Sequence, residues 1–339
     1  MTLRLGDRLS LRLAPRVLWV SVALVVAVLV AAAVALTSGE LGLTWAELLA
    51  LPLGAPDGAA GFKVERVTGP RLVTGILACM ALGVAGSLFQ TVTRNPLGSP
   101  EIVGLTTGAS AGAALSVLFP GVVPMPLAAV LGGATAVTLV WFGTGTGFAA
   151  PGRLIIVGIA VGAIASAITG LALSRVGDEQ AQTLAFFLSG SLASRAWTDV
   201  LTIALAVLVL FPLALAQSRR LDLVAVGDEL ADALGGRIAA TRTWSIVIAV
   251  LLAGAAVSVA GPIAFVSLVA PQIAVRLTGG HFPGIIAPAL MGALLLTLSD
   301  LAVQLIDFGA ALPVGIFTAA IGSAYLGFLL VREVRKGVL

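Results

Sequence analysis

The chain has 339 residues, 59% of them hydrophobic and only 10% charged, with a mean hydropathy of +1.12; ordinary soluble domains carry about a quarter charged residues. That composition excludes a water-soluble globule and leaves little chain for a separate soluble domain. The net charge of +3 comes from basic residues scattered along the chain, which argues against nucleic acid as a partner, and the single cysteine, Cys79, excludes an intrachain disulfide and reads as a small core residue.

Arg4, Arg8, Arg12 and Arg16 precede an apolar run from Val17 to Leu36. Secretory signal cores are about 7 to 15 residues long, so this longer run, followed by equally apolar chain, is expected as a first membrane helix. At about 20 apolar residues per bilayer crossing, the uncharged runs predict ten spans: 17–36, 70–93, 102–119, 127–143, 154–174, 199–216, 243–260, 263–278, 285–306 and 313–331. Prolines in Phe119-Pro-Gly-Val-Val-Pro-Met-Pro126 split one long run, and Gly261-Pro262 splits another, because proline removes a backbone donor and stops a helix. Residues 1–339 therefore read as one all-α, polytopic membrane domain. An even number of spans puts both termini on one side. With that side cytoplasmic, the inside holds Arg4, Arg8, Arg12, Arg16, Arg94, Arg153, Arg219, Arg220, Arg237, Arg242, Arg276, Arg332, Arg335 and Lys336, and the outside only Lys63, Arg66, Arg71, Arg175 and Arg195. This satisfies the positive-inside rule.

Between the second and third spans lies Arg94-Asn-Pro-Leu-Gly-Ser-Pro-Glu-Ile-Val-Gly104, where Asn95 and Ser99 suit helix starts and each proline suits a first helical turn. The Gly143-Thr-Gly-Thr-Gly147 run reads as a turn. The outer segment from Arg175 to Arg195 places Asp178-Glu-Gln180 ahead of Leu184, Phe186, Phe187 and Leu188, the pattern of a short amphipathic helix at the outer mouth, either a gate or an interfacial helix. Next comes Leu221 to Gly235, LDLVAVGDELADALG, with four acids in a chain otherwise poor in charge. Val226, Leu230 and Leu234 recur at i, i+4 and i+8 while Asp228 and Asp232 share another side. A short amphipathic helix ended by Gly235-Gly236 is expected, with its early acids favouring the macrodipole; a solvated loop is the alternative. The stretch from Gly261 to Arg276 begins with a Gly-Pro break and carries Pro271 within a short span. Interrupted helices at membrane depth occur where protein or a water-filled cavity surrounds them. Asp300 lies inside a span, where an acid faces the bundle interior, and is expected to make a helix contact rather than relay a proton.

No catalytic set emerges. His281, the only histidine, sits in a short turn away from Cys79, and Lys63 and Lys336 are followed by Val64 and Gly337, not by the Ser or Thr of a phosphate-binding loop. A shift of 175 places Ala85-Gly86 and Pro96 over Ala260-Gly261 and Pro271, with seven identities between residues 77–96 and 252–271. The first copy would run inward and the second outward, as in transporters built from inverted repeats; ordinary small-residue packing in membrane helices is the other reading.

The motifs in chain order resemble a known family. They are Pro70-Arg71, Gln90 with Arg94-Asn-Pro-Leu97 and Pro100, Gly104 with Gly108-Ala109, Leu221-Asp222 with Gly227-Asp-Glu229 and Leu234-Gly235, Gly261-Pro262 with Phe265-Val266 and Pro271, Asp300, and Leu312-Pro-Val-Gly315 with Thr318 and Gly322. Together they are similar to the ten-helix permeases of bacterial iron-siderophore, haem and cobalamin ABC importers, the FecCD or cobalamin-permease-like family. The resemblance implies a type II ABC importer permease with an inverted repeat and no active site of its own. It implies a second permease subunit, two ATPase subunits that carry the ATP and Mg, and an external substrate-binding protein. Residues 217–242 would form the coupling helices, with Leu221, Gly227, Asp228, Glu229, Leu234 and Gly235 at the ATPase. Arg66 and Arg71 would meet acids of the binding protein, and Thr106, Thr107, Ser110, Phe186 and Phe187 would line the pathway. The chain departs from the family pattern at Gln272, where histidine is frequent, at the longer Arg66-Val-Thr-Gly-Pro-Arg71, and at Ala310-Ala311. Arg-Asn-Pro-Leu-Gly-Ser-Pro-Glu with Ala-Pro-Gln is similar to one subunit of ferric-enterobactin-type heterodimers, which implies a catecholate ferric siderophore in the cytoplasmic membrane of a bacterium. Haem and cobalamin import, and an ion-coupled secondary transporter permitted by the echo and Asp300, are the alternatives.

Overall fold

The computed structural model describes residues 2–4, 10–12, 15–38, 42–51, 58–146, 148, 150–233, 236–280, 283–306 and 312–335. A short antiparallel ribbon pairs β1 (Thr2–Arg4) with β2 (Ser10–Arg12); the other elements among the described residues are helical. In order they are α1 (Pro15–Thr37), α2 (Trp45–Ala50), α3 (Gly58–Phe62), a π-helical turn at Lys63–Thr68 that runs into α4 (Gly69–Thr93), a 3-10 turn at Pro100–Val103, α5 (Leu105–Leu118), α6 (Met125–Gly143), α7 (Pro151–Leu173), α8 (Asp178–Leu188), α9 (Trp197–Val226), α10 (Asp228–Ala233), α11 (Ile238–Ala260), α12 (Val266–Thr278), α13 (Ile286–Leu305) and α14 (Val314–Arg335). The ten expected spans are α1, α4, α5, α6, α7, α9, α11, α12, α13 and α14. Seven helices of the described residues are long and apolar enough to cross a bilayer, while α5, α12 and the apolar part of α14 are shorter.

Helix α4 is the hub, packed by α9, α11, α12 and α13. In lipid no hydrophobic effect drives helices together, so close approach depends on small side chains, and α4 supplies them. A Cβ on Gly86 would lie 1.7 Å from the Ser267 carbonyl oxygen of α12, and one on Gly83 would lie 2.2 Å from the Pro288 oxygen of α13. Gly112 makes the same kind of contact between α5 and α6, where a Cβ would come within 2.0 Å of the Ala128 oxygen. Cys79 is wholly buried in this core, as its small size predicts. The outer faces of α1 and α9 instead expose large apolar residues such as Trp19, Leu29, Leu208 and Val209.

The two halves follow one plan in opposite directions. In α4–α7 and again in α11–α14 a long helix is followed by an irregular stretch, a short helix and two further helices. The end of α4 and the start of α11 meet around Asp228, which is bonded by both Arg94 and Arg242, so the two long helices run antiparallel. The short helices begin beside each other, where the Ser267 hydroxyl donates to the Glu101 carboxylate at 3.2 Å. From there α12 runs to the end where Arg16 donates to the Leu277 carbonyl at 2.8 Å, and α5 runs the other way. The sequence echo at a shift of 175 is out of register with this plan, since Gly86 lies inside α4 whereas Gly261 caps α11.

Three local expectations are corrected. The eighth span begins at Val266 rather than 263, because Gly261 at φ +71° and Phe265 at φ +67° hold the chain out of the helix between them. Ser99 stands before the 3-10 turn without a side-chain cap, and the Asn95 side chain accepts the Leu97 N–H at 2.9 Å, closing a turn instead of starting a helix. The sixth span does not stop near residue 216: α9 continues unbroken to Val226.

Candidate coupling tip and opposite-end cavity

The acidic stretch is built by one glycine. Gly227 adopts φ +129°, a conformation L side chains rarely take, and it separates α9 from α10. The single amphipathic helix expected over Val226–Leu234 is therefore replaced by two elements, with Val226 exposed at the end of α9. Leu221 and Val224 on the last turns of α9 are buried, and Val224 packs with Ala231 and Ile238. The neighbouring acids part company. The Asp228 carboxylate accepts from the guanidinium of Arg94 and, at 2.8 Å, from that of Arg242, while Arg94 also donates to the Val224 carbonyl at 2.8 Å. Burial pushes the Asp228 carboxyl upward, but the hydrogen bonds and charges of Arg94 and Arg242 outweigh it and hold the group below its ordinary value. Glu229 is exposed to solvent. Leu234 and Gly235 lie outside the described residues. Of the two neighbouring acids, Asp228 is tied to α4 and α11 and Glu229 stands exposed.

The opposite end holds a different ionic contact. Arg71, just inside α4, grips Asp300 on α13 with both Nε and Nη2, the shortest contact being 2.6 Å, and Gln304 donates to the other carboxylate oxygen at 2.8 Å. The Asp300 side chain is 4% exposed and that of Arg71 23%. Asp300 makes the helix contact expected of it, through a residue that the sequence reading placed at a docking surface. Arg66, by contrast, is exposed. Trp197 ties the start of α9 to this end, donating to the Glu65 carbonyl at 2.7 Å.

Beside it α8 and the loop after it line an open cavity of about 510 Å3, bounded by Met125, Gln182, Thr183, Phe186, Phe187, Ser191, Ala193, Ser194, Arg195, Ala260 and Gly261. Phe186 and Phe187 come together here as one wall. Thr106, Thr107 and Ser110 do not reach this space. They stand at the start of α5, where Thr107 donates to the Gly104 carbonyl at 3.1 Å and Ser110 to the Thr106 carbonyl at 2.9 Å. The sequence reading missed the part of Arg94 and Arg242 in holding the tip, and the part of Arg195 in the cavity. Their common signal is an arginine close to the end of a span, which in sequence marks orientation and, for Arg94, a family motif, but names no partner.

The FecCD transport family model matches residues 15–332. The chain is 36% identical to the ferric enterobactin transport system permease protein FepG of Escherichia coli (strain K12), across 95% of this chain and 98% of that protein. It is 37% identical to the Fe(3+)-citrate import system permease protein YfmE of Bacillus subtilis (strain 168), across 83% of this chain and 85% of that protein. Among solved structures it is similar to a metal-chelate type ABC transporter in an inward-facing conformation, with a TM-score of 0.82 and 25% identity over 93% of this chain and 99% of that one.

Proposed function

Because the chain belongs to the FecCD transport family, we propose that it is the membrane-spanning permease subunit of an ATP-driven importer of iron chelates, and that its cargo is a catecholate ferric siderophore. The observation that carries this reading is the likeness to the enterobactin permease over nearly the full length of both chains. A second reading, a citrate chelate as cargo, is favoured by the Bacillus subtilis relative. The subunit works in the cytoplasmic membrane with both termini inside, pairs with a second, different permease chain, and is served by two ATPase subunits and an extracytoplasmic binding protein. ATP is hydrolysed on the ATPases; this chain supplies the path and the coupling.

The tip formed by the end of α9, Gly227 and α10 is the surface the ATPase grips. Leu221 anchors it, Gly227 sets its bend, Asp228 locks it to α4 and α11, and Glu229 faces the partner, with Leu234 and Gly235 completing the segment. At the other end Arg66 steers the acidic lobes of the binding protein, a contribution mainly to encounter, and Arg71 supports that surface from its pair with Asp300. The cargo passes Phe186 and Phe187 and then the hydroxyls of Thr106, Thr107 and Ser110.

Reconstitution tests this directly. In vesicles holding the full complex, uptake of a ferric tris-catecholate is expected only with ATP and the ATPase present, and Glu229→Lys is expected to lower it about tenfold, the scale of losing a close charge contact across an interface. Uptake driven by an ion gradient without any ATPase would overturn the reading, as would wild-type transport by the Glu229→Lys chain.

A further inference from the structure

We infer that Arg195 is a binding residue that selects anionic iron chelates with aromatic arms at the cavity between α8 and the start of α9; this rests on the importer reading above. Among the described residues lining that cavity Arg195 is the only charged one. Its Nε donates to the Ala193 carbonyl at 3.1 Å and its Nη1 to the Val259 carbonyl at 2.6 Å. Both acceptors are neutral, and no carboxylate of the described residues pairs with it. The nearest acid in sequence, Asp199, is engaged elsewhere, accepting the Ala196 N–H at 2.9 Å at the start of α9. Asp178 and Glu179, one turn before Gln182 and Thr183 on α8, are exposed and do not line the space. A guanidinium has five N–H donors, so donors remain for a ligand, and a half-buried cation without a counter-ion has paid part of its desolvation before any anion arrives.

The loop that presents Arg195 is fixed by its backbone. Ser191 donates its N–H to the Ala260 carbonyl at 2.9 Å, and the Gly190 carbonyl accepts the Gly315 N–H at 3.1 Å. Gly190 at φ +70° lies so close to Pro262 that a Cβ there would come 2.7 Å from its carbonyl oxygen. The Ser191 hydroxyl accepts the Ala193 N–H at 3.1 Å, and Ser194 adopts φ +57°. A cation held this way is preorganised and loses little freedom on binding. In the same cavity Phe186 and Phe187 offer aromatic surface, and Gln182, Thr183 and Ser194 offer neutral polar groups. Planar aromatic arms stack or meet edge-on with such rings, while a negatively charged metal centre takes the guanidinium's remaining donors in charge-assisted hydrogen bonds. A volume of about 510 Å3 falls within the range of small-molecule sites, roughly 300–1,000 Å3.

The test uses the assembled complex in vesicles with the ferric tris-catecholate trianion as probe. Arg195→Gln is expected to lower kcat/KM for ATP-driven uptake about tenfold, the scale of one charge-assisted hydrogen bond, and Arg195→Lys to restore most of it. Raising the ionic strength is expected to slow the wild type more than Arg195→Gln. Wild-type uptake by Arg195→Gln overturns the inference and leaves the importer reading standing. Equal loss in the Gln and Lys variants marks a merely structural arginine and also overturns it, as does a defect confined to the affinity of the binding protein for the complex. Failure of the wild-type complex to carry any iron chelate with ATP removes the importer reading and this inference together.

Discussion

Asp300 and Arg71 stand 229 positions apart and form the most buried ionic contact among the described residues. Breaking a buried pair from one side strands a charge, which costs about 3–5 kcal/mol, whereas replacing both partners by apolar groups is often close to neutral. Asp300→Ala is therefore expected to lower the thermal stability of the detergent-purified subunit by about that amount, and Arg71→Met with Asp300→Leu to recover most of it. If the double variant is no more stable than Asp300→Ala, the pair is not what holds α4 to α13. That Asp300 makes a helix contact was legible, because an ionisable group facing lipid is too costly. Its partner was not, since nothing local to Arg71 separates an arginine that faces outward from one that turns across to α13. The acids of the tip teach the same lesson. Asp228 and Glu229 are adjacent and chemically alike in sequence, yet only Asp228 lies within reach of Arg94 and Arg242.

At the scale of elements, the uncharged runs located every long helix, because length and apolarity are what a bilayer demands of a crossing segment. The boundary of α9 was missed for a related reason. Gln217, Arg219, Arg220 and Asp222 end the apolar run but not the helix, since Gln and Arg are good helix formers and a single Asp costs less than about 1 kcal/mol, and the chain turns only where Gly227 allows it. Glycines inside helices carry a second message, one of contact rather than flexibility. Gly112→Leu on α5 must push α6 away from the Ala128 carbonyl and is expected to cost about 3 kcal/mol, the upper end for overpacking a tight site. Gly170→Leu on α7, where nothing lies within 4 Å of the added Cβ, is expected to stay within about 0.5 kcal/mol of wild type. Unfolding midpoints of the two variants compare them side by side, and equal losses would mean that α5 and α6 have room to separate.

For the whole molecule, the opposed directions of the two halves could be anticipated from span counting, while the register between them could not, because small residues recur too often to mark a position. Orientation in the membrane is open to a simple experiment, since the natural cysteine is wholly buried and gives little background. With an impermeant thiol reagent on intact cells, Arg66→Cys is expected to react and Glu229→Cys to react only once the inner face is exposed. Labelling of Glu229→Cys from outside would invert the proposed topology. The length of α9 then acquires a mechanical meaning. Its 30 residues span roughly 45 Å at 1.5 Å each, against a hydrocarbon layer of roughly 30 Å, and its first turn is pinned through Trp197 to Glu65. Under the coupling proposed above, this helix, with Pro212 midway along it, would serve as a lever with its fulcrum at the pinned end: a swing of roughly 10° would carry the far tip roughly 8 Å, by the same rise per residue. Arg94 fastens α4 to that tip, so such a stroke would haul on the helix around which the bundle is assembled.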